Sequence, residues 1–334
     1  MTALAAERLG YRVHIYAPEA DTPAGEVAWR TTRAAYEDAD ALRAFAMGVD
    51  AVTVEFENVP ERALEIVAGI RPTRPGAAAL ATAQDRFVEK RFLERVGCRT
   101  APYLKVDEPD DIRAALDALG APVVVKTRRF GYDGKGQVKV ARPDEAADAW
   151  AALGQAPSIA EGFVRFVREI SVIVARDIAG AVACYPAVEN LHEDHILRRT
   201  IAPAPDLGPL AAEAERLAGA AISGLDMQGL LAVEMFVTED GRLLANEMAP
   251  RPHNSGHWTM DFAETSQFEQ LVRAVMGLPL GDPRALCPAE MWNLLGDEAD
   301  DWPRLLATPG VRLHLYGKRE ARPGRKMGHW NRAL

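Results

Sequence analysis

The sequence predicts an α/β (α+β) protein: an N-terminal parallel α/β domain, a larger centre mixing antiparallel strands with helices, and a small C-terminal mostly-β domain. Three observations predict it. Helical and short apolar strand patterns alternate over residues 3–56, as in a parallel layer. β-Branched runs at 122–127 and 230–237 are each followed by a glycine-bearing turn and a second strand pattern. The last fifty residues read as short strands and turns.

In chain order, residues 3–9 form a helical pattern ending at Gly10, and 11–16 a strand closed by Ala17-Pro18. A polar helix over 38–47 precedes a second strand at 51–56. A parallel layer normally begins with a strand, and none precedes Ala3, so the opening reads as a domain missing its first strand. Residues 71–75 carry two prolines and read as a linker, because proline resists both helix and central strand. A helix is expected over 77–96, strands at 122–127 and 136–141, a helix at 144–153, and strands at 158–160 and 169–175. An Ala-rich amphipathic helix covers 209–222, a hairpin pairs 230–237 with 242–248, and 268–276 is helical.

Lys plus Arg total 39 against 48 Asp plus Glu, a net charge of −9. That balance argues against a protein that coats nucleic acid or anionic membrane. No apolar run approaches the ~20 residues of a membrane span. No basic segment followed by an apolar stretch opens the chain. Cys98, Cys184 and Cys287 lie far apart, with neither metal spacing nor a disulfide framework. A reduced, cytoplasmic protein is expected.

The segment Gly131-Tyr132-Asp133-Gly134-Lys135-Gly136-Gln137 joins two strand patterns, with Lys126 on the entering strand. Glycine lets backbone amides approach phosphate oxygens, and consecutive N–H groups form an anion-binding concavity. Walker and dinucleotide loops run from strand into helix, so neither fits. The alternatives are a flexible surface hairpin and a flap over a polyphosphate; the neighbouring lysines and arginines favour the flap.

In the 230–248 hairpin, a two-residue Asp240-Gly241 turn of type I′ pairs Glu239 with Arg242 and sets Glu234 directly opposite Glu247. Like charges in cross-strand register destabilise a sheet unless compensated. The flanking residues are apolar, so this is no solvated charged face. A hard divalent ion such as Mg²⁺ is one solution. A protonated carboxyl or an arginine partner is the other.

Directly after it, Arg251-Pro252-His253-Asn254-Ser255-Gly256-His257 has the look of a substrate loop. Its two histidines are four apart, but Pro252 and Gly256 oppose a zinc helix. His192 and His195 lie in a polar stretch and, taken alone, read as surface histidines. Lys318, Arg319, Arg322, Arg325 and Lys326 concentrate positive charge near the end. They suit a phosphate monoester or a solvated basic tail.

Taken in order, 130–137, Asn190-Leu191-His192, 246–258 and 322–329 resemble the ATP-grasp superfamily and, within it, the 5-(carboxyamino)imidazole ribonucleotide synthases of purine biosynthesis. The resemblance implies an ATP-grasp fold divided into 1–75, 76–270 with a flexible lid at about 100–162, and 271–334. It implies ATP-dependent carboxylation of aminoimidazole ribonucleotide by bicarbonate through carboxyphosphate, with ATP and Mg²⁺ as cofactors and a homodimer as the assembly. Arg86 and Lys126 are then expected near the phosphates under the Gly131–Gln137 flap, and Glu161, Gly162, Phe163 and Val164 along the adenine edge. Glu169 is expected at the ribose hydroxyls, with His192 and Asn246 in the nucleotide pocket. Glu234 and Glu247 are implied as Mg²⁺ ligands, and Arg251, His253 and Asn254 as the groups around bicarbonate. Tyr132 and Asp133 would reach the ribonucleotide, with Lys318, Arg325 and Lys326 at its phosphate. Relatives usually open with a strand and glycine-rich turn that this chain lacks, and many run on beyond its end, so a truncated enzyme is expected. Another ATP-grasp ligase and a nucleotide-binding module without turnover are the alternatives.

Overall fold

The computed structural model describes residues 1–131 and 134–334. In the N-terminal part, β1 (His14–Ala17) and β2 (Arg30–Arg33) pair in parallel beside helices Ala39–Met47 and Glu61–Ala68. Leu42, Phe45, Leu64 and Val67 project from these helices into one core with Val52, Val54 and Leu80. The expected strand at 51–56 shrinks to a bridge between Val52 and Thr73. The Val52 amide donates to the Pro72 carbonyl and its carbonyl accepts from Arg74, both at 2.9 Å. Proline lacks an N–H but keeps its acceptor, so the segment expected as a linker is pinned to the core.

The helix expected over 77–96 is two, Ala77–Ala83 and Arg86–Arg95. Asp85 separates them, its carboxylate accepting from the Phe87 and Val88 amides at 3.0 and 3.3 Å as an N-cap.

A four-stranded antiparallel sheet follows, formed by β3 (Tyr103–Val106), β4 (Val123–Thr127), β5 (Gln137–Val140) and β6 (Ser158–Gly162) in the order β3-β6-β4-β5. Helices Pro109–Leu119 and Ala146–Ala152 cover it, burying Ile112, Leu116 and Trp150 against Val123, Val125 and Val140.

Among the described residues the second sheet has nine strands. They are β7 (Phe166–Arg176), β8 (Val182–Cys184), β9 (Val188–Glu193), β10 (Ile196–Ala202), β11 (Gly229–Thr238), β12 (Leu243–Ala249), β13 (Ala289–Leu295), β14 (Arg312–Leu315) and β15 (Lys326–Ala333). The order is β12-β11-β7-β9-β10-β13-β15-β14, with β8 on β7. Alternation along β11 sends Leu231, Val233 and Met235 to a core with helix Pro209–Gly224. Leu230 and Ala232 go to a second core with Trp258 and helix Gln267–Met276. Pairing of β10 with β13 makes the C-terminal strands a continuation of this sheet. Among the described residues no helix is long and apolar enough to cross a membrane.

Candidate active site

Glu234 and Glu247 are paired across β11 and β12, as expected, but by a different route. The turn is not two-residue type I′. Thr238 pairs with Arg242, its amide donating to the Arg242 carbonyl at 3.0 Å, and Glu239, Asp240 and Gly241 form a three-residue loop. Gly241 takes φ +72°, the left-handed position such loops require. That loop alone would set Glu234 opposite Asn246. A bulge at Asn246 inserts one residue, and from there Glu247 faces Glu234, Met248 faces Val233 and Ala249 faces Ala232.

Each carboxylate has a cationic or imidazole partner. Glu247 Oε2 lies 2.7 Å from a terminal guanidinium nitrogen of Arg86, and Glu234 Oε1 lies 3.0 Å from His253 Nε2. Burial by itself would raise the Glu247 carboxyl. The charge and hydrogen bond of Arg86, with Lys126 and His253 behind, hold it at about 2. The Asn246 Oδ1 is buried and has no hydrogen-bond partner among the described residues.

Helix Arg86–Arg95 presents Arg86, Glu89 and Lys90 at i, i+3 and i+4, one face turned toward the acid pair. Lys90, 1% exposed, and Lys126 grip opposite oxygens of Glu161 at 3.0 and 2.9 Å. Lys90 also reaches the Asn246 carbonyl at 3.4 Å. Glu161, expected at the adenine edge mostly through its backbone, thus has its side chain committed to two lysines. Burial would raise its carboxyl, but Lys126 and Lys90 hold it at about 2. Burial lowers the Lys126 ammonium despite Glu161. Glu89 Oε1 accepts from the Met248 amide at 2.6 Å, and burial pushes its carboxyl up to about 8. Glu89 and Lys90 escaped the sequence reading. Their signal was a charged stripe that runs on, at i+7 from Arg86, into fully buried Leu93.

Above these groups, Lys126 and Gln137 pair across β4 and β5 at the base of the glycine segment. Tyr132 and Asp133 lie outside the described residues. Arg86 approaches the Gly131 carbonyl at 3.5 Å. Gly136 has φ +72° and a Cβ there would stand 2.6 Å from Thr127 Oγ1; Gly134 has φ +76° and a Cβ would stand 2.7 Å from His195 Cβ. The glycine segment thus packs against the β9–β10 turn, where His195, exposed as expected of a surface histidine, is also a contact residue of the flap. Lys135 is exposed at its tip.

Gly162 is buried at the end of β6, while Phe163, Val164 and Arg165 line a shallow, open depression of about 430 Å³ with Thr238, Arg242 and Leu244. That is within the size of small-ligand sites. Glu169 Oε2 lies 3.0 Å from His192 Nδ1, so both expected nucleotide-pocket residues meet. Burial would lower the His192 ring, but Glu169 outweighs it and leaves the ring above its ordinary value.

Arg251 is turned toward the N-terminal part. Its Nε donates to Glu57 Oε2 at 2.8 Å and one terminal nitrogen also pairs with Glu57. Asn254 and Asn293 exchange reciprocal amide hydrogen bonds at 2.9 and 2.7 Å. Glu57 and Asn293 were likewise missed; nothing in their local sequence distinguishes them from ordinary polar residues. Lys318 donates to the Lys326 carbonyl at 2.6 Å, and Arg325 to the Glu320 carbonyl at 2.8 Å. Burial, then Arg325 and Lys326, lower the Lys318 ammonium, so these three cations are neighbours.

The residues fit a divalent cation. Only one oxygen of each glutamate is taken by Arg86 or His253. Among the described residues no three His, Cys, Asp or Glu side chains form a closed cage. Two carboxylates completed by phosphate oxygens and water is the arrangement Mg²⁺ favours.

Three family models match in succession: the ribonucleotide synthetase preATP-grasp domain over 1–84, the ATP-grasp domain over 91–268 and the phosphoribosylaminoimidazole carboxylase C-terminal domain over 289–333. The N5-carboxyaminoimidazole ribonucleotide synthase of Brucella melitensis is 49% identical over 334 residues, covering 99% of this chain and 92% of that protein. The chain belongs to the N5-carboxyaminoimidazole ribonucleotide synthase family. Its fold matches that family's solved structures. The ADP complex of purK, an N5-carboxyaminoimidazole ribonucleotide synthetase, has a TM-score of 0.96 at 40% identity, covering 100% of this chain and 89% of that one. The Aspergillus clavatus N5-carboxyaminoimidazole synthase, solved with ADP and 5-aminoimidazole ribonucleotide, has a TM-score of 0.93 at 31% identity, covering 100% and 90%. The ATP-grasp fold with an N-terminal preATP-grasp domain, expected from the motifs, is the fold of the family and of this chain.

Proposed function

We propose that this chain couples ATP hydrolysis to carboxylation of the exocyclic amine of 5-aminoimidazole ribonucleotide by bicarbonate, releasing ADP and phosphate. The observation that carries the reading is the facing pair Glu234 and Glu247, each secured from a different element, beside the lysine-rich floor and the glycine flap. Family membership supports it.

Bicarbonate is a poor electrophile, so one of its oxygens takes the γ-phosphoryl group of ATP and ADP departs. The mixed anhydride then loses phosphate as the amine nitrogen bonds to its carbon, and the amine proton leaves with phosphate. Phosphoryl transfer needs positioning and charge neutralisation more than covalent catalysis. Glu234 and Glu247 would hold Mg²⁺, which when bound neutralises charge on the transferring phosphoryl oxygens. Arg86 and Lys126 face the phosphates, with Gly131 and Gly134–Gln137 closing over them to exclude water from a labile anhydride. Gly162, Phe163 and Val164 take the base and Glu169 the ribose, with His192 and Asn246 in the nucleotide pocket. Arg251, His253 and Asn254 surround bicarbonate. Tyr132 and Asp133 approach the ribonucleotide, and Lys318, Arg325 and Lys326 receive its phosphate. Glu161 joins Gly162, Phe163 and Val164 at the adenine edge through its backbone while its side chain holds Lys90 and Lys126. The same reading divides the chain into 1–75, 76–270 and 271–334, and takes it as a cytoplasmic homodimer.

Mass-spectrometric analysis of reactions containing ATP, bicarbonate and aminoimidazole ribonucleotide tests this. The carboxylated ribonucleotide and ADP are expected in equal amounts, with no product when any substrate is omitted. ADP release that ignores the ribonucleotide, or none under any substrate, defeats it.

A further inference from the structure

Behind His253 runs a buried chain of hydroxyls and amides that no role above uses. His253 Nδ1 lies 2.8 Å from Ser255 Oγ, Ser171 Oγ lies 2.7 Å from the same Ser255 oxygen, and Asn190 Nδ2 lies 2.9 Å from Ser171 Oγ. Thr200 Oγ1 ends the chain 3.0 Å from Asn190 Oδ1. Ser171, Thr200 and Ser255 are fully buried and Asn190 nearly so. They come from β7, β9, β10 and the loop after β12, so four segments are joined at one imidazole.

The direction of the chain is fixed by a donor that cannot turn. The Ser255 backbone N–H points at His253 Nδ1 from 3.4 Å, too long to hold the ring by itself but enough to set the sense in which Nδ1 accepts and the ring proton sits on Nε2. The Ser255 hydroxyl then donates to Nδ1 and must accept from Ser171. Ser171 in turn accepts from the Asn190 amide, whose oxygen accepts from Thr200. Nδ1 is shared by the Ser255 O–H and, at longer range, the Ser255 N–H, and the rest of the chain runs in one sense. At the other end, Nε2–H meets Glu234 Oε1. Ser171 is also the β7 partner of Glu234 in the β11 ladder. The chain therefore closes a ring of contacts around the carboxylate.

We propose that Ser171, Asn190 and Thr200 are positioning residues that hold His253 as its Nε2–H tautomer, aimed as a donor at the acid pair and the anion assembled there. This rests on the bicarbonate-site reading of His253. Without the chain the imidazole rotates or exchanges tautomers, and an acceptor lone pair meets a carboxylate. Misplacing a group held this way costs on the order of tenfold or more in turnover.

Ring ¹⁵N spectra of the full-length protein and steady-state kinetics test it together, the His253 signals being assigned by their loss in His253→Gln. The wild type should show a single tautomer with the proton on Nε2. Ser171→Ala and the near-isosteric Thr200→Val should show mixed tautomers and a kcat for carboxylation lowered on the order of tenfold, with KM for ATP unchanged. Thr200→Ser, which keeps the hydroxyl, should restore both. Wild-type nitrogen shifts in Ser171→Ala and Thr200→Val overturn the proposal, whether or not kcat falls, since a fall alone would be loss of packing. Wild-type turnover in His253→Gln defeats the bicarbonate-site reading instead, and the nitrogen shifts still judge the chain.

Discussion

Glu234 and Glu247 oppose each other because two departures from regular pairing cancel: a three-residue turn shifts the β11–β12 register one way and the bulge at Asn246 shifts it back. The bulge also brings the Asn246 carbonyl to Lys90 and seats the Met248 amide on Glu89, so the acid pair is locked to helix Arg86–Arg95.

If this pair serves phosphoryl transfer, neutralising either member should abolish turnover without unfolding the protein. Glu247→Gln and Glu234→Gln are expected to lower ribonucleotide-dependent ADP release by about a hundredfold or more. Stabilisation of the protein against heat by ATP with Mg²⁺ should vanish in parallel. Full ADP release in either variant would mean that the pair plays no part in the chemistry.

The acid pair was legible because alternation along a strand fixes which residues share a face, and an error in turn length was compensated by the bulge. The helix at 86–95 was legible as a helix but not as part of the site. The hydrogen-bond and ion-pair partners of its inward charges, Glu89 and Lys90, lie 71 or more positions away, at Glu161 and the backbone around Asn246. The side-chain partners of Glu161 were not legible for the same reason, since a strand position gives no sign of two buried lysines. Arg251–Glu57 and Asn254–Asn293 join residues distant in sequence, and such pairs leave no local pattern to read.

Flap seating should depend on the fit of Gly134 against His195. Gly134→Ala combines a strained φ of +76° with a Cβ 2.7 Å from His195 Cβ. The variant is expected to raise KM for ATP roughly tenfold, about 1.4 kcal/mol of lost flap closure. Adding His195→Gly removes the clash but leaves Ala in place of Gly134 at φ +76°, so the double variant should recover the share of the loss that the contact causes. Equal defects in single and double variants would show that the contact does not limit closure.

The Lys90–Glu161–Lys126 triad should govern acid stability. Glu161 is held at about 2 in the folded protein, below its ordinary 4.5. The folded state therefore binds fewer protons than the unfolded chain, and the stabilisation present above about pH 4.5 is lost as pH falls toward 2. Glu161→Gln leaves two buried ammonium groups unpaired and should cost about 3–5 kcal/mol at pH 7. Chemical denaturation of both proteins across pH 3–7 would show the variant with the shallower acid dependence; parallel curves would contradict the assignment.

A second pH response, at higher pH, should come from the buried histidines. His257 and His329 lie 4.9 Å apart between ring centroids, and His314 stacks on His329 at 4.7 Å. His329 Nδ1 meets the Tyr316 hydroxyl at 2.9 Å, while His314 Nε2 contacts Asp261 at 2.7 Å. Burial, reinforced by the neighbouring rings, pushes His257 and His329 well below their ordinary 6.5. Both stay neutral in the fold while the unfolded chain takes up protons below about pH 6.5, so stability falls as pH drops through that value. Each ring contributes a slope of about 1.4 kcal/mol per pH unit. His329→Phe deprives Tyr316 of its partner and should lower stability throughout. It should also remove one ring's share of the slope between pH 6 and 5. Urea unfolding across that interval separates the two effects, because a variant with unchanged slope would place the titration elsewhere.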